Sequence, residues 1–131
     1  MTIDPDLHAL ATARNFAAMT TLMPDGQPQT QLMWVHADDE HLTINTEAQR
    51  QKFRNVERDP RVTVTVFNGD NPYQYVEARG HVVETIGGDP ARADIDELSQ
   101  KYEGTPYQGQ IGPGGRVILR IAVDKVHKNN I

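Results

Sequence analysis

Apolar and polar residues alternate with a period of two over much of this chain. The clearest run is residues 61–67, where Val62, Val64 and Val66 fall on one side and Thr63, Thr65 and Phe67 on the other. Such a pattern, rich in β-branched residues, predicts a half-buried strand. Residues 16–22 and 29–35 predict two more, joined by Pro24-Asp25-Gly26, a turn that puts Gly26 at positive φ and makes the pair a hairpin. In the second of these, Thr30, Leu32 and Trp34 face opposite to Gln31, Met33 and Val35. The polar turn 37–40 leads to a third strand, 41–46. Residues 73–84 predict a long strand in which Gly80 marks a bulge, a bend or a close backbone approach, and that length suits coiling round a barrel. Residues 116–123 alternate again, then a turn at Asp124 leads to a short last strand around Val126 and a frayed end.

Three segments change to a helical period. Asp4-Pro5 reads as N-cap and first-turn proline, with Leu7, Leu10 and Ala11 as the apolar stripe of a helix ending near Arg14. A second helix is predicted over 48–58, capped by Thr46 and stopped by Asp59-Pro60. A third begins at Asp89-Pro90 and buries Ala93, Ile95, Leu98 and Tyr102. Residues 103–115, crowded with glycine and proline, form a long loop. Six or seven strands with three short helices and no strand–helix repetition give a mostly β fold. A small barrel with 47–58 spanning or plugging an opening buries its edges best.

The 131 residues suffice for one domain, 1–131, ordered over about 4–128. The hydrophobic fraction of 37% leaves room for a partner subunit to complete the apolar surface. A formal charge of −5 argues against broad binding of nucleic acid or anionic membrane. Cysteine is absent, which excludes disulfides and thiolate chemistry. The first residues lack signal-peptide character and no stretch is long and apolar enough to span a bilayer, so a cytoplasmic protein is expected. The five histidines show no metal-ligand spacing, and Ser99, the sole serine, lies in a predicted helix. A borrowed organic cofactor is then the natural source of reactivity.

The segment that suggests where it binds is LTINTEAQRQKFRNVERDP, 42–60. A strand ending at Asn45 and Thr46 hands over to a helix N-terminus with free backbone N–H groups and a basic first turn carrying Arg50, Lys52 and Arg54, a combination suited to a phosphate. A solvated helix face, with Glu47 and Glu57 nearby, is the other reading. Lys52 points about 200° from Arg50 in a helix, so both touch one phosphate only if one of them stands outside the helix. A flat heterocycle could lie along Gln31 and Met33 beside Trp34, unless Trp34 is core or subunit interface. Tyr73 and Tyr75 share a strand face with Glu77, as cofactor contacts, half-exposed surface or subunit contact.

The order of these elements resembles the split β-barrel superfamily that binds flavin or deazaflavin and includes pyridoxamine 5′-phosphate oxidase. The likeness is strongest to its small actinobacterial deazaflavin (F420)-dependent oxidoreductases. Residues 16–21 with the PDGQPQ turn, NTEAQRQKFRNVERDPRVTVTV (45–66), YVEARGHVVE (75–84) and RVILRIAVDKVH (116–127) carry it. The resemblance implies a mostly β split barrel and a homodimer with cofactor sites between subunits. It implies that Arg50 and Lys52 hold the phosphate, with Asn45 and Thr46 at the strand end. Gln31, Leu32 and Met33 would run beside the ring, and Tyr73 and Tyr75 would approach the cofactor or its tail. Arg54, Arg58 and Lys101 are further tail candidates. The implied activity is hydride transfer from reduced F420 to an unsaturated small molecule. FMN-dependent oxidation or reduction on the same fold, or cofactor binding without turnover, are the alternatives. The chain stops soon after Val126, short of the segment that completes the vitamin-B6 substrate pocket, which favours the F420 branch.

Overall fold

The computed structural model describes residues 2–131. Seven strands form one antiparallel sheet: β1 (Phe16–Leu22), β2 (Pro28–Trp34), β3 (His36–Ala37), β4 (Leu42–Glu47), β5 (Arg61–Asn68), β6 (Asn71–Ile86) and β7 (Arg116–Asn129). Their order is β2-β1-β5-β6-β7-β4-β3, and three helices flank them: α1 (Pro5–Thr12), α2 (Gln51–Arg58) and α3 (Gly88–Glu103). This is the mostly β split barrel read from the sequence.

The sheet's two edges, β2 and β3, are consecutive in the chain and separated only by Val35, which is fully buried. The seam between them is closed by α3. The Tyr102 hydroxyl accepts a hydrogen bond from Val35 N at 3.1 Å and donates to Asn15 O, and Lys101 Nζ donates to Val35 O at 2.7 Å and Ala11 O at 2.8 Å. Closing the seam this way satisfies backbone groups that a sheet edge otherwise exposes. Tyr102 also stacks on Trp34, with ring centroids 5.1 Å apart and planes 3° from parallel. Inside, Val62, Val64, Val66, Val76, Ile44, Leu119 and Ile121 pack with Leu7 and Met19 into the main core. α2 joins it through Val56 and Phe53 and through Asn55, whose Nδ2 donates to Thr21 Oγ1 at 2.9 Å.

Asp4 caps α1 as expected, accepting from the N–H groups of Asp6 and Leu7. Other boundaries differ. α2 begins at Gln51, and Thr46 is a strand residue rather than its N-cap; Arg50 takes the cap position with no side-chain capping bond. The reason is tertiary: Asn45, Thr46 and Glu47 pair with Ile118, Val117 and Arg116 of β7, which keeps the chain extended through Glu47. Gly87, not Asp89, caps α3; its buried face carries Ala91, Ile95, Leu98 and Tyr102, which share one helical stripe, and Ala93 falls off that stripe and is exposed. α1 ends at Thr12, ahead of Arg14. The two-residue β3 lies at the start of the expected 37–40 turn, overlapping it at Ala37 and pairing His36 with Thr43. β7 runs unbroken through Asp124 to Asn129, and its end is tied down, since Asn129 pairs with Tyr75 and its Nδ2 donates to Tyr73 O at 2.7 Å.

Candidate functional site

The end of β4, the turn before α2, the start of β7 and the last residues of the edge strand β2 surround a cleft of about 430 Å³, within the size range of small-molecule sites. One side is polar: Asn45, Thr46, Glu47, Arg50, Lys52 and Arg116. The other side is apolar: Leu32, Met33 and Trp34 from β2, Phe16 from β1, and Ile95 and Leu98 from α3. Tyr107, from the loop after α3, closes one wall, and the Arg116 guanidinium lies 5.3 Å from its ring centroid.

The polar end is built around a buried ion pair. Glu47 and Arg116 are direct cross-strand neighbours, with side chains 6% and 8% exposed and an Nη1–Oε1 distance of 3.2 Å. Asn45 Oδ1 accepts from Arg116 Nε at 2.8 Å, and Asn45 Nδ2 donates to Asp94 Oδ2 at 2.9 Å and Ala91 O at 3.0 Å. Gln49 Nε2 donates to Glu47 Oε2 at 3.0 Å, and Arg50 Nε lies 3.8 Å from the same oxygen. A polar chain therefore runs from α3 through β4 and β7 to the turn before α2. It fixes Arg116 and biases Arg50 toward the cleft.

Lys52 is the anomaly. It is only 7% exposed, and among the described residues no carboxylate pairs with its ammonium; Glu47 is already engaged by Arg116 and Arg50. Burial, followed by the nearby charges of Arg50 and Arg116, pulls its pKa down from 10.5 to about 8, with Glu47 opposing. Burial likewise lowers the pKa of Arg116. Three cations against one carboxylate line this end, an excess that an anionic group would neutralise.

Of the residues singled out from sequence, Gln31, Leu32, Met33, Asn45, Thr46, Arg50 and Lys52 all line this one cleft. Arg50 stands outside α2 and Lys52 in its first turn, the arrangement needed for both to reach one anion. The solvated-face reading fails for Lys52 and describes Arg54, which is exposed and bonded to Gln51. Tyr73 and Tyr75 lie elsewhere on the same chain: Tyr73 is 76% exposed, and Tyr75 borders a separate surface depression with Thr65, Glu77 and His127. Lys101 is spent on the β2–β3 seam, and Arg58 on Leu22 O. Glu47, Arg116 and Tyr107 were not among the sequence candidates. Glu47 is visible in the sequence only as a charge beside the basic residues, and Arg116 as the charged first residue of a strand after a glycine-rich loop.

Asn45 spends its amide on Arg116, Asp94 and Ala91, so it positions the cation rather than facing a ligand. Asn45→Asp replaces two donated hydrogen bonds with a second carboxylate beside Asp94. The expected cost is about 2 kcal/mol in urea-unfolding stability.

Comparison with known proteins places this geometry. The sequence profile described as pyridoxamine 5′-phosphate oxidase matches residues 3–130. The chain belongs to that family. Among solved structures, it superposes on a protein titled F420 reductase with a TM-score of 0.83 and 30% identity, covering 95% of this chain and 98% of the other. A conserved hypothetical protein from Mycobacterium tuberculosis gives 0.72 and 25%, with 98% and 86% covered. An FAD-binding protein from Mesorhizobium loti gives 0.67 at 20%, with 96% and 94% covered, a likeness of fold alone. As a member of the pyridoxamine 5′-phosphate oxidase family, the chain is an oxidoreductase of the flavin- and deazaflavin-binding superfamily. No helix among the described residues is long and apolar enough to cross a membrane.

Proposed function

We propose that the protein transfers hydride from reduced F420 to an electron-poor, unsaturated small molecule, working as a homodimer with a cofactor site between subunits. The observation that carries this reading is the buried ammonium of Lys52, which has no carboxylate partner among the described residues and stands beside Arg50 and Arg116 at one end of an otherwise apolar cleft. A phosphate there supplies the missing counter-charge, and charge-assisted hydrogen bonds from Arg and Lys are the strong kind. The likeness to an F420 reductase at 30% identity supports the choice of cofactor. When bound, the deazaflavin supplies the hydride chemistry. The chain's own residues hold its phosphate with Arg50, Lys52 and Arg116, seat its ring along Gln31, Leu32 and Met33, and keep water away with Trp34, Ile95 and Leu98.

Two features support the dimer. Strand β2 is a sheet edge with Leu32 70% exposed, and Tyr73 on β6, three strands away in the sheet order, is 76% exposed. Covering both with a second copy buries apolar surface, and Tyr73 and Tyr75 of one subunit would then approach the cleft of the other. FMN is the second reading, because the same three cations suit its phosphate equally well.

Fluorescence titration with F420 and absorbance titration with FMN test the proposal. The expected result is saturable, micromolar F420 binding that is tighter than FMN binding. Reoxidation of reduced F420 by enones or quinones then separates an enzyme from a storage protein. The affinity also carries a sign. A bound anion raises the Lys52 pKa back from about 8 toward 10.5, so binding takes up a proton above pH 8. Affinity is then greatest below pH 8 and falls by up to about tenfold per pH unit as pH rises beyond it. Absence of saturable binding by either ligand sinks the reading.

A further inference from the structure

We propose that, when no cofactor occupies the cleft, Lys52 is a carbonyl-reactive amine that captures small phosphorylated aldehydes as a reversible imine. The chain has four lysines, and the structure gives three of them different fates. Lys128 is paired with Asp4 at 2.8 Å and Asp6 at 2.7 Å. Lys101 is held by two backbone carbonyls and covers the Tyr102 ring at 4.8 Å. Among the described residues, Lys52 is the lysine that sits inside a cleft large enough for a ligand, buried, without a carboxylate partner, and near the guanidinium groups of Arg50 and Arg116. Desolvation and a neighbouring cation are the two features that turn a lysine into a nucleophile, by favouring the free amine near neutral pH. Its depressed pKa, about 8, agrees with that placement.

The same cleft selects the carbonyl. Arg50 and Arg116 attract a phosphate, so an aldehyde carrying one is concentrated beside the Lys52 amine. The charges facing that amine are Glu47 of β4, Arg50 of the turn and Arg116 of β7, and the balance among them is cationic. In the step itself the Nζ lone pair attacks the carbonyl carbon and forms an N–C bond while the C=O π pair moves to oxygen. Two protons from nitrogen leave with that oxygen as water, giving the neutral imine. Amine and aldehyde become imine and water, with no oxidant or reductant consumed. The inference uses the anion site and is independent of which cofactor the protein takes.

Glycolaldehyde phosphate is the probe, with glycolaldehyde as the phosphate-free control. The full-length protein, freed of bound cofactor, is treated with each at pH 7.5, the imine is reduced with borohydride, and the modified lysines are mapped by mass spectrometry. In the empty cleft a pKa near 8 leaves about a hundredfold more free amine than an ordinary lysine has at this pH, and the aldehyde's own phosphate, by raising that pKa part of the way back, takes up some of this margin. Labelling of Lys52 is expected at least about tenfold faster than at Lys101, Lys125 or Lys128. It is expected to depend on the phosphate and to disappear in Lys52→Arg. Labelling spread over all four lysines, or equal with and without the phosphate, overturns the inference. F420 or FMN titrated into the same preparation reports on the cofactor reading separately, since binding without selective labelling removes only the imine proposal.

Discussion

Replacing Arg50 with Gln and Lys52 with Met in one chain is expected to weaken binding of a phosphate-bearing cofactor by about a hundredfold to ten-thousandfold while raising the stability of the cofactor-free protein. The two effects have separate causes. Each cation is assigned a charge-assisted hydrogen bond to phosphate, worth about 1.5–3 kcal/mol, and losing two gives the loss in affinity. The gain in stability comes from Lys52, whose buried ammonium has no carboxylate partner among the described residues and whose methionine replacement keeps a similar volume without a charge beside Arg50 and Arg116. A pKa pulled from 10.5 to about 8 corresponds to an upper bound of about 3 kcal/mol. A gain of about 1–3 kcal/mol in urea unfolding at pH 7 is therefore expected. Its pH dependence follows from the direction of the shift. The unfolded chain keeps the proton up to 10.5, whereas the folded chain sheds it near 8, so the burial penalty is fully present below pH 8. It fades as pH rises from 8 to 10.5, and the advantage of the variant fades with it. A merely structural lysine would show destabilisation on removal. Unchanged cofactor affinity in the folded variant would dismiss the anion site.

The basic cluster was legible because three features converge on one short segment: a strand end, a break in period, and three cations within five residues. The strands of the hairpin and of 61–67 were legible for a similar reason, since alternation over seven residues is a local signal. What escaped depends on partners far away in sequence. Thr46 looks like a helix cap until β7 pairs with it through Val117, about seventy residues on. Ala93 is a different case: Ala91 is the residue in helical phase with Ile95, Leu98 and Tyr102, whereas Ala93 lies about 200° round the helix from Ile95. A two-residue strand such as β3 has no period to detect. The most consequential omission, the Glu47–Arg116 pair, joins two charged residues that each look solvated in isolation. Their burial follows from α3 and the 104–115 loop packing over that end of the sheet. Ala48 N donates to Gly115 O at 3.1 Å, and Tyr107 N donates to Asp96 Oδ1 at 3.0 Å.

Gly80→Ala is expected to destabilise the protein by more than about 3 kcal/mol, although it adds a single methyl group. The added carbon would fall far inside van der Waals contact of the Ala122 carbonyl oxygen, 3.0 Å from its carbonyl carbon and 3.2 Å from Val123 Cα. These are backbone atoms of the neighbouring strand, so no side-chain rotation relieves the overlap. β6 and β7 must separate where their register shifts, between Arg79 and Gly80. That ladder is the longest in the sheet, and it holds β7 in place as the strand that delivers Arg116 to the cleft. Gly26→Ala is the control: Gly26 has φ +88° and nothing within 4 Å of an added carbon, so only backbone strain is paid, about 1 kcal/mol. Urea titrations of the two variants separate steric exclusion from strain. Equal midpoints would mean that the β6–β7 crossing tolerates a side chain, and Arg116 would then owe its position to Asn45 and Glu47 more than to the ladder beneath it.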